Sequence, residues 1–226
     1  MHAEQGSRPT ELFAFWRTSA AYRVRVALNL KGIEVPERFV DVDKGAHREP
    51  GFMAINPMGA VPALRVEGAE RPLTQSLAIL EYLEEIAPCP ALLPADPVGR
   101  ARVRSIALGL AADTHPFIVP RVRSFMMSRY GFDAEAWRGW QTHWLQTGLV
   151  ALEQRLGEEP ETGPLCHGAE ITLADVCLCS IVVVVRVFGI RIEGVPTVDA
   201  IVRRCEELRP FQDADPFKQE GAPASA

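Results

Sequence analysis

Residues 87–96 read Ala87-Pro88-Cys89-Pro90-Ala91-Leu92-Leu93-Pro94-Ala95-Asp96. Proline lacks a backbone N–H and its ring clashes with the preceding turn, so no helix runs through this stretch. It reads as a linker, and the apolar periodicity differs on its two sides. Ahead of it, Leu12 to Phe15 is a short strand-like run, and Tyr22, Val26, Ala27 and Leu30 recur at helical spacing over Ser19 to Lys31, which Gly32 ends. Glu37 to Val42 reads as a second strand, completing a βαβ unit. After a polar loop, Val61 to Val66 is strand-like, Glu67-Gly68 is a turn, and Pro72 to Thr74 returns as a short antiparallel partner. From Ser76, Leu77, Leu80 and Leu83 mark a helix whose wet side holds Glu81, Glu84 and Glu85.

Beyond the linker the pattern is helical. Val103, Ile106, Ala107 and Leu110 mark one amphipathic helix, and Trp137, Trp140, Trp144, Leu149, Leu152 and Leu156 mark another, with Pro116 and Pro120 breaking the chain between them. In Ile171-Thr172-Leu173-Ala174-Asp175-Val176, Thr172 and Asp175 form a capping box and Ile171 with Val176 a hydrophobic staple. The β-branched run Val182 to Val185 favours a strand, and the cap decides for a helix. The polar start, Met1 to Thr10, reads as a loose leader, and everything from Asp213 as a loose tail. The expected domains are thus residues 10–87, α/β and thioredoxin-like in its βαβ-ββα order, and residues 96–212, all-α.

A chain of 226 residues is long enough for two such cores. The net charge of -5 has no basic stripe beside it, which argues against nucleic acid and against an anionic membrane surface. The longest apolar stretch, Val176 to Val185, is too short to span a bilayer. No signal peptide is expected, and the five cysteines lack C-x-x-C or zinc-ligand spacing, which fits reduced thiols in the cytoplasm, with Cys177 and Cys179 as core packing. No metal constellation, glycine-rich phosphate loop or Ser-His-Asp motif stands out.

Three segments carry a resemblance: Phe15-Trp16-Arg17-Thr18-Ser19-Ala20-Ala21-Tyr22-Arg23-Val24-Arg25-Val26-Ala27-Leu28, Asn56-Pro57-Met58-Gly59-Ala60-Val61-Pro62-Ala63-Leu64, and Gln75-Ser76-Leu77-Ala78-Ile79-Leu80-Glu81-Tyr82-Leu83-Glu84-Glu85. Together they resemble the zeta-class glutathione transferases, the class that includes maleylacetoacetate and maleylpyruvate isomerases. The resemblance runs to about Phe211 and is tighter in the first half. It implies the glutathione transferase fold, glutathione as coenzyme and a homodimer. The reaction it implies is thiolate addition to the cis double bond of a small dicarboxylic acid, rotation, and elimination to the trans isomer.

That chemistry assigns roles. A free thiol is mostly protonated at neutral pH, so something must stabilise the thiolate. Thr18 and Ser19, at the start of the first helix, offer hydroxyls and the positive end of a helix dipole; either is equally readable as the N-cap. The resemblance implies that Val61-Pro62 is cis and that Val61 pairs its backbone with the cysteinyl unit of glutathione. Gln75 and Ser76 would meet the glutamyl carboxylate, or simply cap their helix. His47 falls where the class contacts the glycyl end, or lies exposed. For the substrate carboxylates Arg17, Arg121 and Arg186 are candidates, with an ion pair as the plain alternative for each. His115 contacts substrate or caps a broken helix. In place of the usual Ser-Ser-Cys-Ser the chain has Thr18-Ser19-Ala20-Ala21. Alanine at the cysteine position keeps open conjugation or reductive dehalogenation of another electrophile, or a glutathione-transferase-like binding protein without turnover.

Overall fold

The computed structural model describes residues 8–223. They divide into two compact units, one made of the residues up to Leu92 together with those from Arg209 on, the other of Leu93–Leu208. Residues 1–7 of the expected leader lie outside the described residues, and its last part is ordered, because Pro9 and Thr10 open the first strand.

In the first unit a four-stranded sheet has the order β2-β1-β3-β4, with β1 at Pro9–Ala14, β2 at Glu37–Phe39, β3 at Ala63–Val66 and β4 at Leu73–Thr74. β1 pairs parallel with β2 and antiparallel with β3, which pairs antiparallel with β4. The crossover is α1, Ser19–Lys31, free of Gly and Pro and ended by Gly32 at φ 64, a left-handed backbone that glycine adopts without strain. It is buried all round from Ala21 to Leu28, so its sequence shows a weak polar face. Phe13, Val40, Phe52 and Ala63 form a core cluster on the sheet. Phe52 comes from α2, Pro50–Ile55, a helix in the segment expected to be a polar loop; six residues are too few for a periodic signal.

Helix α3 runs Ser76–Ile86 and packs on α1. Glu84 does not lie on a wet side. It is buried, because the Lys31 ammonium needs a partner there. The tail expected to be loose from Asp213 is not loose at Pro216–Lys218, which form a 3-10 turn. Helix α9, Arg209–Asp213, is tied to α1 by Asn29, which donates to the Pro210 oxygen at 2.9 Å, and the Phe217 ring packs 5.7 Å from that of Trp16. The second compact unit ends at Leu208.

The second unit begins with α4, Pro97–Leu108, capped by Asp96, whose carboxylate accepts the Gly99 N–H at 2.7 Å. α4 loosens into a π-helical turn at Gly109–Thr114 and a 3-10 turn at His115–Ile118 around Pro116. Pro120 does not only break the chain: it opens α5, Pro120–Tyr130, because proline fits the first helical position. The long α6, Ala134–Glu158, buries Trp137, Leu145, Leu149, Leu152 and Leu156. Trp140 and Trp144 are only half-buried; Trp140 donates to the Phe117 oxygen at 2.7 Å and Trp144 stacks on the Phe117 ring at 4.1 Å. Next come α7, Leu173–Val187, and α8, Pro196–Glu206. The cap does override β-propensity in α7: Asp175 accepts the backbone N–H of Thr172, its hydroxyl, and the N–H of Cys166, each at 2.8 Å. Cys177 and Cys179 are buried in this helix, free of disulfides. No helix among the described residues is long and apolar enough to cross a membrane.

Candidate active site

Strand register decides which distant residues meet. Ala14 pairs with Phe39, Phe13 with Ala63, and Ala63 with Thr74. The chain leaving β1 (Thr18), the chain leaving β2 (residues 40–48), the chain entering β3 (Val61-Pro62) and the chain leaving β4 (Gln75-Ser76) thus gather at one end of the sheet. At about 4.8 Å per strand, four strands place them across roughly 14 Å.

Thr18 is the N-cap residue of α1, with extended backbone at φ -78 and ψ 127, yet its side chain makes no capping bond. Its hydroxyl instead lies 3.2 Å from the Phe15 carbonyl, to which it donates. The plain N-cap reading therefore does not hold for its hydroxyl. Ser19 follows, buried, as the first residue of the helix. Arg17 lies over the rings of Phe15 and Trp16, 5.4 and 5.5 Å from their centroids, and forms an ion pair with Asp43.

His47 is buried, not exposed. Its Nε2 accepts from Arg48 Nε at 3.3 Å, and its Nδ1 is enclosed without a hydrogen-bond partner among the described residues. Burial pushes the imidazole pKa below 6.5, the Arg48 charge adds to this, and Asp43 opposes it. A neutral ring that accepts at Nε2 keeps its proton on Nδ1, which makes that atom a donor. Gly59, at φ 56, closes over this histidine: a Cβ there would lie 3.1 Å from the His47 carbonyl oxygen.

The Val61-Pro62 bond is cis. The loop leading to it is organised by Asn56, which sequence reasoning quoted but gave no role. Buried to 5 % exposure, Asn56 donates from Nδ2 to the Ala60 oxygen at 2.6 Å and accepts the Met58 N–H at 3.1 Å.

Gln75 has φ 67 and ψ 111, the one positive φ outside glycine among the described residues. Such a backbone costs about 1–3 kcal/mol and persists where its surroundings hold it, often at ligand clamps. It makes no side-chain cap, and Ser76, buried, opens α3 directly after it.

In the second unit His115 begins the 3-10 turn and is half-buried. Arg121 is the second residue of α5 and is exposed. Arg186, in the last turn of α7, is half-exposed and paired with Glu206 of α8, the plain alternative foreseen for it. Among the described residues no group of three or more His, Cys, Asp or Glu side chains is placed to hold a metal ion.

Residues 8–85 match the glutathione S-transferase N-terminal domain family. A maleylacetoacetate isomerase of Rhizobium meliloti (strain 1021) is 43% identical over 207 residues, covering 92% of this chain and 96% of its own. A maleylacetoacetate isomerase of Methylobacterium extorquens AM1, solved with malonate and GSH bound, superposes with a TM-score of 0.92 at 48% identity, covering 95% of this chain and 100% of its own. The holo structure of a maleylpyruvate isomerase, described as a bacterial zeta-class glutathione S-transferase, gives a TM-score of 0.90 at 37% identity over 94% of this chain and 100% of its own. Fold and N-terminal match define a glutathione transferase. More narrowly, the chain belongs to the zeta-class family of maleylacetoacetate and maleylpyruvate isomerases.

Proposed function

We propose that this chain is a glutathione-dependent cis–trans isomerase of a small unsaturated dicarboxylic acid, of the maleylacetoacetate or maleylpyruvate type, in aromatic catabolism. It works as a cytoplasmic homodimer. The observation that carries the reading is the gathering of Thr18, His47, Val61-Pro62 and Gln75-Ser76 at one end of the sheet, in a chain whose relatives are isomerases over nearly their whole length.

The residues fit glutathione. The enclosed Nδ1–H of His47 is a donor whose acceptor a glycyl carboxylate supplies. The strained Gln75 backbone sets the N-terminus of α3, with Ser76, against a glutamyl carboxylate. Val61 offers its backbone to the cysteinyl unit in the manner of an added strand. Bound glutathione supplies a thiolate that adds to the conjugated cis double bond and leaves after rotation. Thr18 holds that sulfur's charge, its hydroxyl turning from the Phe15 carbonyl, with Ser19 and the α1 dipole in support. Arg17 and Arg121 fix carboxylates and stabilise negative charge developing beside them. Arg186 can bind a carboxylate only by giving up Glu206, and His115 is a further candidate for substrate contact.

The test is the rate on maleylacetoacetate and on maleylpyruvate side by side, with and without glutathione. Turnover of either that disappears without glutathione supports the reading and ranks the substrates. Ala20, where the class carries cysteine, keeps open conjugation or dehalogenation as the second reading. Silence on both isomerisation substrates, with activity on a halogenated acid, would select it; glutathione binding without any turnover would select a binding protein.

A further inference from the structure

Arg17 has a fixed bed. Phe15 and Trp16, beneath its guanidinium, are buried, and each is braced by a further ring: Phe39 at 5.6 Å from Phe15 and Phe217 at 5.7 Å from Trp16. The guanidinium is therefore held by stacking, and its edge is what recognises an anion. Asp43 takes part of that edge, its Oδ1 accepting from Arg17 Nη2.

Asp43 is itself placed by the backbone. Asp41 Oδ1 accepts the N–H groups of both Asp43 and Lys44 at 3.1 Å, and the Asp41 carbonyl accepts the Ala46 N–H at 2.9 Å. This turn follows β2 at the end of the sheet where Thr18 and His47 gather. With side chains 27% and 51% exposed, the Arg17–Asp43 pair is neither dry nor fully screened. It is a contact that another carboxylate can replace at modest cost.

A dicarboxylate substrate and its trans product carry the same two carboxylates. An arginine without a counter-ion would grip both, and a grip common to substrate and product does nothing for the step between them. We infer that Asp43 is a specificity-determining residue, a resident counter-ion that an incoming carboxylate must displace from Arg17, and so sets how tightly the enzyme takes its dianionic substrate. The inference rests on the isomerase reading and on Arg17 as a carboxylate ligand.

Asp43→Asn keeps the size and removes the charge. At saturating glutathione we expect its KM for the dicarboxylate, and the inhibition constant of malonate, to fall roughly three- to fivefold, the scale of a half-exposed ion pair. In an Arg17→Leu background the same change should do nothing to either constant. A rise in both constants would make Asp43 an orienting group and overturn the inference. So would unchanged constants, or an equal fall without Arg17. If Asp43→Asn does not fold, Asp43→Ser removes the same charge. Absence of wild-type turnover would sink the isomerase reading instead; malonate titration of the glutathione-bound protein by calorimetry then still decides whether Asp43 competes at Arg17.

Discussion

The ammonium of Lys31, last residue of α1, lies 2.5 Å from Oε2 of Glu84 on α3 and donates also to the carbonyls of Ala87 and Pro90, at 2.7 and 2.6 Å. Glu84 in turn accepts the Leu92 N–H at 3.0 and 3.1 Å. One buried pair thus ties two helices to the proline-rich stretch that follows α3. Removing one member of such a pair leaves the other charge uncompensated, which costs about 3–5 kcal/mol. Lys31→Met should lower the unfolding free energy from urea melts by that much, with a lower midpoint, and Lys31→Met with Glu84→Gln should lose less than Lys31→Met alone. A single variant with the wild-type midpoint would refute the assignment.

Asn56 shapes the loop that presents Val61. Truncating it leaves the Ala60 carbonyl and the Met58 N–H without their bonds, a loss of about 1 kcal/mol per bond. If the loop holds glutathione equally before and during the reaction, as proposed, Asn56→Ala should raise KM for glutathione roughly tenfold with kcat little changed. Equal losses in kcat and kcat/KM would place Asn56 in the transition state instead.

His47 gives the first unit a pH dependence. Its folded pKa lies below the unfolded 6.5, chiefly through burial. Between those two values the unfolded chain binds more protons than the folded one, so stability falls as pH drops below about 6.5 and levels off below the folded pKa. Above 6.5 the group contributes no slope. His47→Gln should flatten this limb in urea melts taken across the window. A limb that persists unchanged would assign it to another group.

The sequence was most legible where local chemistry and burial agree. Gly32 ends α1 where its position predicted, and Thr172 with Asp175 outweighs four consecutive valines, because the cap is satisfied by three buried donors. Asp41 and Asn56 were opaque, because each acts on backbone only a few residues away without any periodic signal. Glu84 misled because a helix face is called wet from its own residues, whereas the partner, Lys31, is 53 positions earlier. The candidate site residues came from the resemblance rather than from spacing. No pattern in one sequence states that β1, β2, β3 and β4 deliver four separate loops to one end of a sheet.

Asp175 should be the costliest single acid to lose in the second unit. It is fully buried, and burial raises its pKa while the Cys166 and Thr172 hydrogen bonds oppose that rise. Asp175→Ala strands three buried donors and removes the cap of α7, which together should destabilise by about 3 kcal/mol or more. Asp175→Asn keeps one oxygen and should cost less. Thermal melts of both variants test the order, and equal losses would show that charge, not acceptor count, matters here.

Thr18 carries the sharpest test of mechanism, since its hydroxyl is not spent on capping α1 and lies beside the helix start that would face the sulfur. If that hydroxyl stabilises the thiolate, its loss raises the pKa of bound glutathione, and less thiolate is present at neutral pH. Thr18→Ala should then lower kcat by roughly tenfold to a hundredfold, in the range of a lost charge-stabilising donor. The ascending limb of its pH–rate profile should move to higher pH, and high pH should recover part of the rate. Thr18→Ser should retain both. The ultraviolet absorbance of thiolate, titrated on the glutathione complex, reads the same shift without turnover. A pH limb that stays in place in Thr18→Ala would pass the role to Ser19, whose buried position at the first turn of α1 puts it next in line.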